Sequence, residues 1–162
     1  MVRDPETKAM RPHDHDVCIS GALAAAEAAS LRGGVNFTPV RRRALEILLE
    51  SHAALGAYDL LKRLDQDGFG GQPPVAYRAL EFLVKHGFAH RIERLNAFVA
   101  CVRPGEGHGA AFMICRKCHA VAETVTDPAA TQLGRDARAL GFDIESTVME
   151  AEGVCPKCRE AS

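Results

Sequence analysis

The chain has 162 residues, of which 47% are hydrophobic and 25% charged, and its formal net charge is −1. This composition is that of an ordinary globular protein, and no apolar run is long enough to cross a bilayer, which excludes an integral membrane protein. The near-neutral charge also argues against a non-specific polyanion binder.

The N-terminal part of the sequence is polar over residues 1–16 and lacks the hydrophobic segment of a secretory signal. We therefore expect a flexible tail there and a cytoplasmic protein. Residues 17–31 are dense in Ala and Leu and are followed by Gly33 and Gly34, a pattern that predicts a first helix.

Three more helical segments follow in chain order. An N-cap residue and a proline open the first, over residues 38–51, and apolar residues at helical spacing continue it. The same spacing predicts a short helix over residues 57–64 and another over residues 73–87, with glycine-rich turns between and after them. Stacked helices of this kind suggest a helix-turn-helix arrangement.

A predicted hairpin comes next, from two strand-like runs over residues 88–95 and 98–102 with a turn at Asn96. A helix-turn-helix followed by a hairpin is a winged helix. Basic residues outnumber acidic ones nine to seven over residues 36–95, against two to seven over residues 120–154. If the chain binds nucleic acid, its first half does so.

The segment over residues 103–109 has the composition of a linker, so we place a domain boundary there. It divides a winged-helix domain (residues 17–102) from a small α/β unit (residues 110–162), and the fold class is α+β. The α/β unit is predicted to contain strands over residues 110–114, 120–125 and 143–154 and a helix over residues 128–140.

Two CxxC pairs occupy the two ends of this small unit, Cys115 with Cys118 and Cys155 with Cys158. Each pair is a short knuckle that can place two thiolates on one ion, and four sulfurs form a closed tetrahedral site suited to zinc. A redox dithiol or a pair of disulfides are the alternatives, but two such motifs at opposite ends of one unit favour a shared ion.

Several motifs resemble the ferric uptake regulator family, and within it the zinc uptake regulators. The resemblance covers residues 17–158 with both CxxC pairs in register. It implies a DNA-binding winged helix, a C-terminal dimerisation domain, and a homodimeric repressor that binds inverted-repeat double-stranded operator DNA when loaded with metal. The motifs are Ala57-Tyr58-Asp59-Leu60-Leu61, Pro73-Pro74, Tyr77-Arg78-Ala79-Leu80, Gly87-Phe88-Ala89-His90, Phe98-Val99-Ala100-Cys101 and Phe112-Met113-Ile114-Cys115.

The resemblance also implies a second, regulatory zinc ion, and so two ions per subunit. Its ligands correspond to His90, Cys101, His108 and Glu123, which belong to the predicted hairpin, the linker and the second domain. Mixed nitrogen, sulfur and oxygen ligation suits zinc, whereas an iron or peroxide sensor of the same family is the nearest rival. Each residue alone has an ordinary explanation, such as a surface histidine or a small buried cysteine.

DNA contacts are implied for Arg78 and Tyr77 near the start of the fourth helix, and for Tyr58 at the start of the third. Arg can donate two hydrogen bonds to guanine, and Tyr can contact a phosphate or a thymine methyl. Alternatively Tyr77 is a core residue and Arg78 a solvated charge. Relatives commonly have Thr-Val where this chain has Val75-Ala76, so a hydroxyl at the helix start is missing.

Other function classes fit the sequence less well. A zinc-dependent hydrolase would need an open coordination position, which four protein ligands do not leave, so we expect no enzymatic activity and no small organic substrate. A zinc-storage or interaction module would not need a winged helix. His13, His15 and Cys18 could form an extra metal site, but polar tails are more often disordered, and these residues stay unassigned.

Overall fold

The computed structural model describes Met10 and residues 13–161. Residues 1–9, 11, 12 and 162 therefore lie outside the described residues, and the first of these ranges contains most of the predicted tail. The described part of the chain forms six α-helices and five β-strands. None of these helices combines the length and hydropathy that a membrane-spanning segment needs.

The first helix, α1 (His15–Gly33), begins two residues earlier than its sequence predicts. The Asp14 carboxylate accepts a hydrogen bond from the backbone N–H of Val17 and so caps the helix, which the Ala and Leu pattern alone did not reveal. At the other end, Gly34 adopts a φ of 63°, the left-handed conformation that stops a helix.

The next three helices match the predicted segments within a few residues: α2 (Pro39–Leu49), α3 (Ala57–Gln66) and α4 (Pro73–Lys85). Helix α2 packs against the other three, and α3 also packs against α4. Their apolar faces form one core, in which the largest of the fully buried side chains are at most 1% exposed. These are Leu45, Ile47, Leu60, Leu64, Leu80, Leu83 and Phe88.

The predicted hairpin forms an antiparallel wing of strands β1 (Ala89–Ile92) and β2 (Ala97–Ala100). Its turn lies where the sequence predicts, with Asn96 at a φ of 45°. The backbone of Leu55, between α2 and α3, pairs with Phe98 of β2 and fastens the wing to the helices.

The C-terminal unit is a three-stranded sheet in the order β4-β3-β5, formed by β3 (Gly109–Cys115), β4 (Val121–Thr126) and β5 (Met149–Gly153). Strands β3 and β4 are antiparallel, whereas β3 and β5 are parallel. A parallel pair needs a crossover, and α5 (Gln132–Leu140) supplies it. The short helix α6 (Pro156–Glu160) follows the last strand.

Two predicted elements of this unit differ from the structure. The strand predicted over residues 143–154 is shorter, because β5 pairs with β3 only from Met149, opposite Ala111, and residues 143–146 would lie beyond the start of β3. The helix predicted over residues 128–140 consists of a 3₁₀ turn and then α5.

A second, smaller core joins the wing to the C-terminal sheet. Ile92 and Val99 of the wing pack with Phe112, Ile114 and Val121 of the sheet. The described architecture is thus α+β, a winged helix followed by a small α/β unit, and the predicted fold class is confirmed. The exact domain limits remain a prediction.

Candidate metal centres and nucleic-acid interface

The four C-terminal cysteines come together at one end of the sheet, because parallel pairing of β3 and β5 brings both CxxC segments to the same edge. Cys115 ends β3, Cys118 lies in the turn that follows, and Cys155 and Cys158 lie at the start of α6 and within it. Their sulfur atoms all lie within 4.8 Å of one another. The Sγ atoms of Cys118 and Cys155 are 3.8 Å apart.

This spacing fits a metal site rather than disulfides. Four thiolates at about 2.3 Å from a tetrahedral zinc ion lie about 3.8 Å apart, whereas a disulfide requires about 2.05 Å. The backbone N–H of Cys155 donates to the Sγ of Cys115 at 3.4 Å. Together with the N–H groups of Cys118 and Lys117, it lowers the pKa of Cys115 to about 6. The cluster therefore holds a thiolate, the form that binds metal, at neutral pH.

A second cluster contains the four residues implied by the family resemblance. His90 lies on β1, Cys101 directly after β2, His108 directly before β3, and Glu123 on β4. One ligand atom from each lies within 4.8 Å of the others. The wing, the loop that follows it and the C-terminal sheet thus all contribute to one point in the molecule.

Glu123 is the centre of this cluster and is only 3% exposed. Its Oε1 atom lies 2.9 Å from Nε2 of His90 and 2.7 Å from Nε2 of His108. Its Oε2 atom accepts a hydrogen bond from the backbone N–H of Val102 at 3.0 Å. Burial opposes ionisation, but the hydrogen bonds from the two histidines outweigh it and lower the pKa of Glu123. The side chain is a buried carboxylate.

The orientation of His108 is set by its other ring nitrogen, which lies 2.7 Å from the carbonyl oxygen of Glu106. A carbonyl only accepts, so Nδ1 carries the hydrogen, and the lone pair of a neutral ring lies on Nε2, facing Glu123. Burial works against a second proton, but the hydrogen bond to Glu123 raises the pKa of His108. Two acceptors this close must share a cation, either a proton or a metal ion.

Cys101 supplies the sulfur of the cluster and is 2% exposed. Its Sγ atom lies 3.7 Å from Nε2 of His108 and 3.8 Å from Oε1 of Glu123. Burial and the neighbouring carboxylate raise the pKa of Cys101 well above its ordinary value, so the side chain is a thiol without a cation beside it. A divalent ion would reverse this balance by favouring the thiolate.

The loop that carries His108 is held against the first helix. Gly105 adopts a φ of 79°, and its N–H donates to the carbonyl of Gly87 at 3.2 Å. A Cβ atom at this position would lie 2.5 Å from the Cβ of Ala29 on α1, so only glycine permits the approach. The predicted linker therefore has a defined path, which directs His108 toward the cluster.

A third cluster consists of His13, His15 and His52, with one ring nitrogen of each within 4.8 Å of the others. Sequence reasoning left His13 and His15 unassigned and did not connect His52 with them. The His-x-His spacing at the start of α1 was a weak signal. No signal pointed to His52, because its proximity depends on how α1 packs against the end of α2.

The three residues with implied DNA contacts all lie on the surface. Tyr58, in the first turn of α3, is 69% exposed, Tyr77 on α4 is 60% exposed, and Arg78 beside it is also exposed. The alternative that Tyr77 belongs to the core is therefore wrong. Helix α4 begins at Pro73 with Gln72 as its N-cap, so Val75, where relatives commonly have Thr, lies in the first turn and not at the cap.

No protein-family model matches the chain, but curated proteins and solved structures do. The Zinc uptake regulation protein of Escherichia coli (strain K12) is 35% identical over 139 residues, which cover 85% of this chain and 81% of that protein. A solved structure of a zinc uptake regulator complexed with zinc and DNA has a TM-score of 0.81 at 34% identity, covering 88% of this chain and 96% of the other.

The protein XcZur has been solved in two forms that differ in their similarity to this structure. The holo form has a TM-score of 0.76 at 36% identity, covering 88% of this chain and 99% of its own, whereas the apo form has a TM-score of 0.50 over a similar share. The arrangement described above is thus closer to the holo form. The identity over most of both chains and the shared fold place this chain in the zinc uptake regulator group of the ferric uptake regulator family.

Proposed function

We propose that this chain is a zinc-responsive transcriptional repressor, which binds inverted-repeat operator DNA as a zinc-loaded homodimer and controls zinc uptake genes. The observation that carries this proposal is the convergence of His90, Cys101, His108 and Glu123 from the wing, the loop and the sheet. An ion held there would couple the DNA-reading half to the C-terminal half. Such a repressor acts on chromosomal DNA, which places it in the cytoplasm.

Two zinc ions per subunit would bind at the two cysteine-containing clusters. The first would be structural and held by Cys115, Cys118, Cys155 and Cys158. The sulfur spacing and the lowered pKa of Cys115 support this assignment. The ligands would lock the end of β3 to α6, and thereby both ends of the dimerisation unit, residues 110–162. Sites of this kind contribute on the order of 10–16 kcal/mol in model peptides, enough to dominate the folding of so small a unit.

The second ion would be regulatory and supply a positive centre for the Glu123 carboxylate and the Cys101 thiolate. His90 and Cys101 fix the wing, His108 fixes the linker, and Glu123 fixes β4. The backbone N–H of Val102 and the carbonyl of Glu106 hold Glu123 and His108 in their binding orientations. Four protein ligands leave no position for a substrate, in keeping with a protein that is not an enzyme.

Homodimer formation is supported by large apolar side chains that the C-terminal unit leaves exposed. Monomeric proteins rarely expose large contiguous apolar patches, and such patches mark an interface. We propose that they are covered in the dimer. They are Leu133, Leu140, Phe142 and Val148, all at least 55% exposed.

The reading surface would use α4 in the major groove of the operator. Arg78 can donate two hydrogen bonds to a guanine, while Tyr77 and Tyr58 contact phosphates or thymine methyl groups. Val75 and Ala76 cannot donate the hydroxyl hydrogen bond of relatives. We therefore propose that operator preference or affinity differs from theirs.

Coupling between zinc and operator would follow from geometry. A dimer fits two half-sites only when its two winged-helix domains have the right spacing and orientation. Without the regulatory ion the winged-helix domains sample other orientations. If about 1% of molecules have the arrangement that binds DNA, the operator affinity falls about 100-fold. Coupling is reciprocal, so operator DNA would raise the affinity for zinc.

The test replaces the sulfur ligand of the regulatory site. Operator binding by Cys101→Ser is measured by fluorescence anisotropy with added zinc and with a chelator. We expect a dimer with weak affinity in both conditions, whereas wild-type affinity falls about 100-fold on chelation. Cys18→Ser, a half-buried cysteine outside both cysteine-containing clusters, is the matched control and should behave as wild type. Zinc-dependent binding by Cys101→Ser at wild-type strength would contradict the assignment.

A further inference from the structure

Three histidine rings pack together where the chain enters α1 and leaves α2. The Nε2 atoms of His13 and His52 are 3.0 Å apart. The ring centroids lie 4.9 Å apart for His13 and His52, 5.0 Å for His15 and His52, and 5.6 Å for His13 and His15. One nitrogen of each ring lies within 4.8 Å of one nitrogen of each of the others.

These distances suit a metal ion bound by imidazoles. Nitrogen ligands at about 2.0–2.1 Å from a tetrahedral zinc ion lie about 3.4 Å apart, so the rings need only small shifts. The Nε2 atom of His15 lies 2.9 Å from the carbonyl oxygen of Glu50 and must donate to it. Such a bond to a carbonyl is the usual partner of a metal-binding histidine, because it fixes the tautomer and leaves a lone pair on Nδ1.

The cluster shares a cavity with the regulatory residues. A cavity of about 450 Å³ is lined by His13 and His52 and also by Cys101 and Glu123. The carbonyl of His52 accepts a hydrogen bond from the backbone N–H of Val121, at the start of β4, at 2.9 Å. The segment that carries His52 therefore contacts both the N-terminal residues and the C-terminal sheet.

We propose a third metal site, in which His13, His15 and His52 bind a divalent transition metal ion, zinc in this protein, with water as the fourth ligand. Imidazole ligands without a carboxylate or a thiolate suit zinc and exclude magnesium or calcium. The site would tie the segment before α1 to the segment that pairs with the C-terminal sheet. It does not depend on the regulatory role of the second cluster.

The experiment counts zinc ions per chain. The full-length dimer is saturated with a zinc salt alone, dialysed against a weak competing chelator, and analysed by mass spectrometry for zinc and protein. We expect three zinc ions per chain for wild type and two for His13→Gln, His15→Gln and His52→Gln. His13 precedes the first helix, so its substitution leaves the folded core intact.

Controls separate this site from the other two. His86→Gln changes a histidine of the same half of the chain outside all three clusters and should retain three ions. Substitution of cobalt(II) for zinc adds a second readout. A site with only imidazole and water ligands contributes d–d bands but no sulfur-to-cobalt charge-transfer band. The d–d contribution of this site should be lost in His13→Gln, while the charge-transfer bands of the two cysteine-containing sites should remain. Two zinc ions in wild type, or three in His13→Gln, would overturn the proposal, whatever the outcome for Cys101→Ser.

Discussion

Removal of the buried carboxylate at the second cluster has a cost that can be worked out from its contacts. In Glu123→Ala, His108 loses its 2.7 Å partner, and both side chains are less than 10% exposed. A hydrogen bond to a charged group contributes about 1.5–3 kcal/mol, and the contacts from His90, His108 and the N–H of Val102 all end on the carboxylate. The cost of burying the charge offsets part of their sum. We expect a loss of about 3 kcal/mol in the free energy of unfolding before any effect of zinc.

The assay is thermal unfolding of the dimer with and without added zinc. For a chain of this length, 1 kcal/mol shifts Tm by about 2–4 °C, so Glu123→Ala should unfold about 6–12 °C lower than wild type. Zinc at 1,000 times the Kd of the regulatory site would stabilise wild type by about 4 kcal/mol more through that site, and this part of the zinc effect should be absent in the variant. Glu145→Ala, which removes an exposed carboxylate, is the control. Equal Tm values for Glu123→Ala and wild type in both conditions would refute the reasoning.

Three further substitutions address the other parts of the molecule. Arg78→Ala should weaken operator binding about 5- to 150-fold, corresponding to about 1–3 kcal/mol, and should leave the zinc content unchanged. The control Arg135→Ala should change neither operator affinity nor zinc content. Fluorescence anisotropy measures the affinity, and metal analysis measures the zinc content. Cys115→Ser should fail to give a folded dimer in light scattering, and a normal dimer would contradict a structural zinc there. Gly105→Ala, with its φ of 79°, should cost about 1–3 kcal/mol and weaken zinc binding next to His108, measured by competition with a chelator.

The cysteine cluster could be predicted from sequence because its geometry is largely local. Each CxxC segment places two sulfurs together by itself, as Cys115 and Cys118 illustrate. Only the meeting of the two segments depends on the fold, and the parallel pairing of β3 with β5 supplies it. The helices were predictable for a similar reason, since the apolar faces of α2, α3 and α4 repeat at helical spacing.

Other features could not be predicted because they depend on distant parts of the chain. His52 follows α2 and is 37 residues from His15, and no local pattern relates the two. The short length of β5 is set by where β3 begins, which its own residues do not encode. Tyr77 illustrates a third case: an aromatic residue in an apolar helix segment is equally consistent with a core or a surface position, and only the packing of α4 places it outside.

The contacts that join the two halves without metal explain why a single ion can act as a switch. Among the described residues, the shared core contains five buried side chains, and the Glu150 carboxylate of β5 accepts from the backbone N–H groups of Glu93 and Arg94. The backbone N–H of Val121 also donates to the carbonyl of His52 at 2.9 Å, and that of Ala54 to the carbonyl of His119 at 3.3 Å. Hydrogen bonds of this kind contribute about 0.5–1.5 kcal/mol each. We expect such an interface to define one docked arrangement and to leave the population of that arrangement dependent on the ion.

An ion that binds only the docked arrangement therefore needs to contribute only a modest binding free energy to make that arrangement predominant. A shift from 1:99 to 99:1 requires about 5.5 kcal/mol of differential binding, less than a four-ligand zinc site supplies. An ion held by the second cluster would deliver that energy to one equilibrium, because His90 and Cys101 lie on the wing side and Glu123 on the sheet side. If the interface were larger, the docked form would persist without zinc and the protein could not respond to its loss.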